Sequence, residues 1–429
     1  MKFKSPLYVL LLLVTLCAAE APNTLIGNVG NGNFSDPFTS AITPDGSKMY
    51  VINSSNNTVS IVDIATNQVT GIVSNGNFLG PISIALTPDG TKAYVTNLSN
   101  STVSVIDVTT DTVTGLVLNP NFNLPNDVAF APDGSKAYVV NIGGTVSIID
   151  PSTDTVIGSV TGVFNTPAHI AFTPDGTKAY VTTPGDDTVT IVNVATDTVS
   201  GIVANGNFDI PSMVVVTPNG TRAYVSNTDN STVSVIDVAT DTAIGIITGG
   251  TFNTQVGLAV THDSSFLYIS DSTTSRVFFA STATNAVVGA VSEPTVMFNN
   301  PTFISITPDD QYAYVSNIDG DTVGIIFLGQ NFPAGTRACT RRNVFLTQIE
   351  YFNVVTWSAP TAPAFPIVSY SIYRNAALTD LVTTVSASGP LVYIDRDINP
   401  NAINTYYIVA VNSLGISSTA AILTAQFCC

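Results

Sequence analysis

Asp127 and His169 are the pair in this chain best suited to acid–base chemistry. A histidine changes charge near neutral pH, and a carboxylate beside it can orient the ring or exchange its proton. The supply of such groups is small. His169 and His262 are the only histidines, and Glu occurs only at Glu20, Glu293 and Glu350. The remaining carboxylates are aspartates set among Gly, Asn and Thr, a context that marks turns more than catalysis. The cysteines are Cys17, Cys339, Cys428 and Cys429, and no pair has the spacing of a zinc site. The residues point to no metal centre and no cofactor.

Charge narrows the partners. The 429 residues carry a formal net charge of −17, and 10% of them are charged. Lys2 and Lys4 precede an apolar run from Leu7 to Leu16, and Cys17, Ala18 and Ala19 follow. A basic region, an apolar region and a small-residue cleavage site make residues 1–19 a secretory leader. Loss of its two lysines takes the charge from −17 to −19. Such a surface repels phosphate backbones, so duplex nucleic acid is a poor partner. The apolar run is short for a bilayer, and no other segment suits a transmembrane helix. The expected residence is secreted, periplasmic or on the cell surface.

These groups must be positioned by β-strands. Thr, Val and Ile are abundant, β-branched residues suit pleated strands, and no helical periodicity follows residue 20. One phrase recurs: TPDGSKMYVIN from Thr43, TPDGTKAYVTN from Thr87, APDGSKAYVVN from Ala131, TPDGTKAYVTT from Thr173 and TPNGTRAYVSN from Thr217. THDSSFLYISD from Thr261 and TPDDQYAYVSN from Thr307 are worn copies, and the steps are 44, 44, 42, 44, 44 and 46 residues. Each unit reads as four short strands. In the second, Ser83–Thr87, Lys92–Thr96, Thr102–Ile106 and Thr112–Val117 are separated by turn residues. Four strands per ~40–45 residues is the length of a propeller blade, and such a sheet must bury its faces on its neighbours.

The phrase Tyr94-Val95-Thr96-Asn97 and its in-phase copies resemble the YVTN family of β-propellers, over about residues 23–330. The implied fold is all-β, a seven-bladed propeller. The seventh unit stops after its third strand, Thr322–Phe327. Its missing strand is expected at the N-terminus, because Asn23–Val29 matches Asp111–Val117. Thr24–Val29 should therefore close the ring and remove an open edge.

A second domain is expected over residues 343–429, after a linker over 331–342 that carries Arg337, Arg341 and Arg342. Val354–Pro360, Val368–Arg374 and Tyr406–Gly415 resemble the second, third and sixth strands of a fibronectin type III domain, an immunoglobulin-like β-sandwich. Trp357, the single Trp, belongs to its core in that reading, and Asn404 stands where the family has its corner tyrosine. A seven-stranded sandwich is expected to hold its ends at opposite poles. A bridge from Cys339 to Cys428 or Cys429 would then have a long reach, which favours an intermolecular disulfide through one of the three.

The strand order places the fourth-to-first and second-to-third connections at one end of the blades, the top. The Pro-Asp-Gly hairpins and the Asp-x-x-Thr-Asp turns share the bottom. There Asp63, Asp107, Asp150, Asn193 and Asp237 end the third strands. They suit calcium in principle but read more plainly as Asx turns. Lys48, Lys92, Lys136, Lys178 and Arg222 should neutralise neighbouring aspartates. On top, Phe34, Phe78, Phe122, Phe164, Phe208, Phe252 and Phe298 recur in register. They read as a ring that grips a ligand or, more plainly, as wedges that seal the blades.

The informative column is one that does not repeat. In the innermost strands one position reads Ser40, Ile84, Val128, Ile170, Val214, Leu258 and Ile304. The position before it reads Thr39, Ser83, Asp127, His169, Met213, Gly257 and Phe303. A position free of the packing rule can diversify for function. Thr39, Ser83, Asp127, His169, Met213 and Phe303 are therefore the candidate ligand-binding residues, near the upper mouth of the central channel. Asp127 and His169, from adjacent blades, are the weak candidates for catalysis, against a plainer reading as hydrated lining. The favoured function is an exported, non-catalytic platform for a protein or glycan ligand. The alternative is a lactonase-like or other hydrolase at the top of the channel. That chemistry needs converging Glu, His or Arg, and blades one to five contain no Glu.

Overall fold

The computed structural model describes residues 23–427 except 31, 33, 74–77, 120–121, 251, 253–254, 294–296, 329–336, 345–348, 357–366, 375–378, 389–391, 396–403 and 413–420. The expected leader, Trp357, Cys428 and Cys429 lie outside the described residues. The fold is all-β; one 3-10 turn at Pro184–Asp186 is the helical segment among the described residues. The strands fall into two compact units, one before and one after residue 333.

The first unit is seven four-stranded antiparallel sheets. Six of the sheets keep chain order. Blade two, for example, is Pro81–Leu86, Lys92–Asn97, Thr102–Asp107 and Thr112–Val117. The tight turns follow from residue type: Gly90, after Pro88-Asp89, has φ +70°. A Cβ there would also meet Pro44 Cδ of the preceding blade at 3.0 Å.

The seventh sheet is closed by the N-terminal strand. Thr24–Asn28 pairs antiparallel with Thr322–Phe327, from Thr24 opposite Phe327 to Asn28 opposite Gly324. The same segment reaches both neighbours of that blade. Leu25 N donates to Ser292 O at 2.8 Å on blade six, and Val69 N of blade one donates to Gly30 O at 3.0 Å. Leu25 is fully buried.

The core is a set of layers between blades, because each sheet buries both faces on its neighbours. Val51, Val62, Tyr314 and Ile325 form the layer that joins blade seven to blade one. The seven phenylalanines are all buried, at 3–8% exposure, and each lies in a different inter-blade layer. They are wedges, and no ligand-gripping aromatic ring exists at these positions.

Polar contacts tie the blades at the bottom. The Tyr of each repeat donates its hydroxyl to the Asp or Asn before the outer strand of the next blade. Asp111, Asp154, Asp197, Asp241, Asn285, Asn23 and Asn67 receive Tyr50, Tyr94, Tyr138, Tyr180, Tyr224, Tyr268 and Tyr314 in turn. All seven acceptors have φ between +50° and +56°, a left-handed conformation that Asn and Asp tolerate best after Gly. Lys48, Lys92, Lys136 and Lys178 pair with four of these carboxylates across the same junctions, at 2.7–2.8 Å. Arg222 differs and pairs with Asp237 of its own blade at 2.7 Å.

In the second unit the strand order is Leu381–Ser386, Ile367–Tyr373, Asn404–Asn412, Ala421–Phe427, Arg337–Val344, Ile349–Thr356, Val392–Asp395. Two expectations are corrected here. The basic cluster is strand and not linker, since Arg337, Arg341 and Arg342 lie in Arg337–Val344. That first strand also runs parallel beside the last, with Cys339 opposite Gln426. Cys339 is therefore not at the pole away from the chain's final strand.

Candidate functional site at the channel mouth

The innermost strands line the central channel, and their start is irregular. The register shifts between Pro37 and Ser40, Pro81 and Ser83, Pro125 and Asp127, Pro211 and Val214, Gln255 and Leu258, and Pro301 and Ile304. A bulge interrupts the ladder and re-aims the side chains beside it. That is the physical reason the neighbouring column need not repeat. In blade four the inner strand is shorter, Ile170–Phe172, so His169 stands just before it and not within it.

The bulged residues meet around one cavity of about 290 Å³. Its lining includes Thr39, Ser83, Asp127, His169, Met213 and Phe303, six of the column, and Gly257 is not among them. A side chain at Gly257 would meet Thr302 O at 2.1 Å, so the blade-six position is closed by its neighbour's backbone. Phe38, Ile82, Asn126, Ser212 and Thr302 also line the cavity. The repeat register missed these because they stand one residue further upstream; reading that column too would have found them.

The column is less free than its variability implies. Several of its members bind the next blade. Thr39 Oγ1 donates to Ile82 O at 2.8 Å, and Leu258 N approaches Met213 Sδ at 3.2 Å. Ser40, the one small residue of the packing column, shares a 2.8 Å hydrogen bond with Ser305. Asp127 joins three blades. Ser83 Oγ donates to its Oδ1 at 2.7 Å, and Ile170 N donates to its Oδ2 at 2.9 Å. His169 Nε2 lies 3.5 Å from the same Oδ2. The acid and the imidazole are thus adjacent, but beyond normal hydrogen-bond length. The Asp127 side chain is 9% exposed and that of His169 23%. His169 Nδ1 is buried without a partner, so the nitrogen turned away from Asp127 does not face open solvent. A general base needs one nitrogen toward its carboxylate and the other toward substrate. This arrangement supplies the first and not the second.

The top end is anionic. Local desolvation and then the charges of Asp229 and Asp187 push the Asp209 carboxyl up. Asp321 adds a further carboxylate there, its Oδ1 accepting from Asp36 N at 2.8 Å. Lys48, Lys92, Lys136, Lys178 and Arg222 are all engaged at the bottom.

The bottom aspartates are turn formers. Asp63 Oδ1 accepts from Thr66 N at 2.8 Å, and Asp107 Oδ1 accepts from Thr109 N and Thr110 N at 2.9 Å. Hydrogen bonds from Thr side chains and backbone hold both carboxyls below the usual range. Among the described residues no three His, Cys, Asp or Glu side chains are grouped as metal ligands.

Comparison with known proteins agrees with this architecture. Residues 36–248 match the family described as "Lactonase, 7-bladed beta-propeller". No curated protein matches the chain. Among solved structures, one chain of Kuenenia stuttgartiensis hydrazine synthase is similar, with a TM-score of 0.60 and 22% identity over 69% of this chain and 96% of that one. At that identity the likeness is one of fold. This chain is therefore an all-β protein with a seven-bladed propeller, whose residues 36–248 are similar to the lactonase propellers.

Proposed function

We propose that this is an exported, non-catalytic binding protein that presents its propeller to a protein or glycan ligand in the periplasm or at the cell surface. The observation that carries the reading is the channel-mouth cavity. It is concave and mixed in character, and Asp127 of its acid–histidine pair is bonded to both adjoining blades. Pockets with apolar walls and a few convergent polar groups are typical binding sites. Export rests on the leader pattern of residues 1–19. A fibronectin type III-like identity for the second unit is supported by its strand order, in which the first strand lies beside the last. Such a module suits display. An intermolecular disulfide through Cys339, Cys428 or Cys429 remains part of the proposal. The parallel strand pairing opens a rival, a bridge within the chain.

The family match favours a second reading, lactone hydrolysis at the same mouth, with Asp127 and His169 as its acid–base pair. One experiment separates the two. The full chain is screened against immobilised glycans and proteins and, in parallel, against simple lactones. Saturable capture without turnover supports the platform. Turnover that disappears in Asp127→Ala/His169→Ala would replace it with the hydrolase.

A further inference from the structure

We infer that the channel mouth takes an organic cation with an apolar body, its ammonium group against Asp127 and its body against Phe38, Ile82, Met213 and Phe303. This names the ligand class for the site proposed above and rests on that reading. The walls come first. Phe38 and Phe303 are half-buried and Met213 is buried, so the cavity presents aromatic and thioether surface. Its 290 Å³ gives room for about ten water-sized groups. Charge comes second. No Lys or Arg lines the cavity, and Asp127 and His169 are its titratable groups. A carboxylate or phosphate ligand would meet Asp127 and no cation. Asp127 has two donors, and a carboxylate has about four acceptor positions. It therefore keeps capacity for an ammonium donor, and aromatic faces favour the same charge. The carboxylates of the top-face loops, Asp209 with Asp187 and Asp229, give an approaching cation the same sign of attraction.

The same chemistry can come from a free amine or from a lysine on a protein ligand. Calorimetric titration of the full chain uses 2-phenylethylamine, 2-phenylethanol, 3-phenylpropionate and N-acetyl-Phe-Lys-amide. The amine should bind at least about tenfold more tightly than the alcohol, and the acid should not bind. Tighter binding of the dipeptide than of the amine assigns a protein source; the reverse assigns a free amine. Asp127→Asn should lower amine affinity at least about tenfold. The amine–alcohol comparison on the unaltered chain stands even if Asp127→Asn fails to fold. Equal binding of amine and alcohol, preference for the acid, or no saturable binding of any probe overturns the cation assignment. Glycan or protein capture at the mouth would still uphold the binding reading in those cases, whereas lactone turnover would sink both.

Discussion

At the scale of the residue, the repeated tyrosine explains more than its place in the YVTN phrase. Tyr94 is fully buried, and its hydroxyl reaches Asp154 on the next blade beside Lys92 Nζ at 2.8 Å. Burial, then the Asp154 hydrogen bond, pushes the Tyr94 phenol far above its usual range. In blade five the acceptor is the neutral Asn285, and burial pushes the Tyr224 phenol up to about 12. A hydrogen bond to a charged group is worth more than one to a neutral group. Tyr94→Phe should therefore destabilise by about 1.5–3 kcal/mol and Tyr224→Phe by about 0.5–1.5 kcal/mol. Urea unfolding of both variants checks the order, and equal losses would contradict it. The phrase was legible in the sequence as strand. Its partner was not, because Tyr94 and Asp154 lie in different repeats and only closure of the blades brings them together. The lysine ties were legible in kind, but not that four of them cross to the next blade.

At the scale of the element, the turns between first and second strands form a ring. In most blades a Gly packs on the preceding blade's Pro. At the junction of blades six and seven both residues change. His262 stands for Pro, and Asp310 stands for Gly with φ +56°. Asp310, nearly fully buried, accepts from His262 N at 2.7 Å and Asp263 N at 2.9 Å, and His262 Nδ1 lies at 3.0 Å. The worn copies in the sequence are thus a matched exchange. The hydrogen bond to Asp310 raises the His262 pKa against a burial effect, with Asp309 and Asp263 adding to the rise. A raised histidine stabilises fully below its unfolded value, about 6.5, and the contribution is lost as pH rises through the folded value. The His262 side chain is 48% exposed, so the contribution is modest. His262→Pro/Asp310→Gly should flatten the alkaline decline of the urea midpoint above about pH 6.5, and an unchanged decline would assign the slope elsewhere.

At the scale of the whole molecule, the ring depends on a pairing between the two ends of the propeller unit, Thr24 opposite Phe327. The register of Asn23–Val29 against Asp111–Val117 made that closure legible in the order of residues alone, as did the seven-unit count. The channel mouth was legible only as a column that does not repeat. Which residues meet there depends on bulges at the start of the inner strands, and bulges leave no spacing signature of their own. Removing residues 20–30 deletes Leu25 from a buried layer, exposes the edge of Thr322–Phe327 and cuts the bonds to blades one and six. A single cooperative thermal transition should be replaced by broad, partial unfolding; melting identical to the full chain would refute N-terminal closure.

The proposed function makes the channel mouth the working surface of the molecule. Ser212 lines the cavity and is half-buried, so Ser212→Trp places an indole at its wall while leaving the inter-blade layers in place. The measurement is saturable ligand capture by the full chain and by Ser212→Trp, at matched melting temperature. A loss of affinity of at least about tenfold, or about 1.4 kcal/mol, is the predicted result. Capture of equal affinity by the filled variant would place the binding surface elsewhere and contradict it.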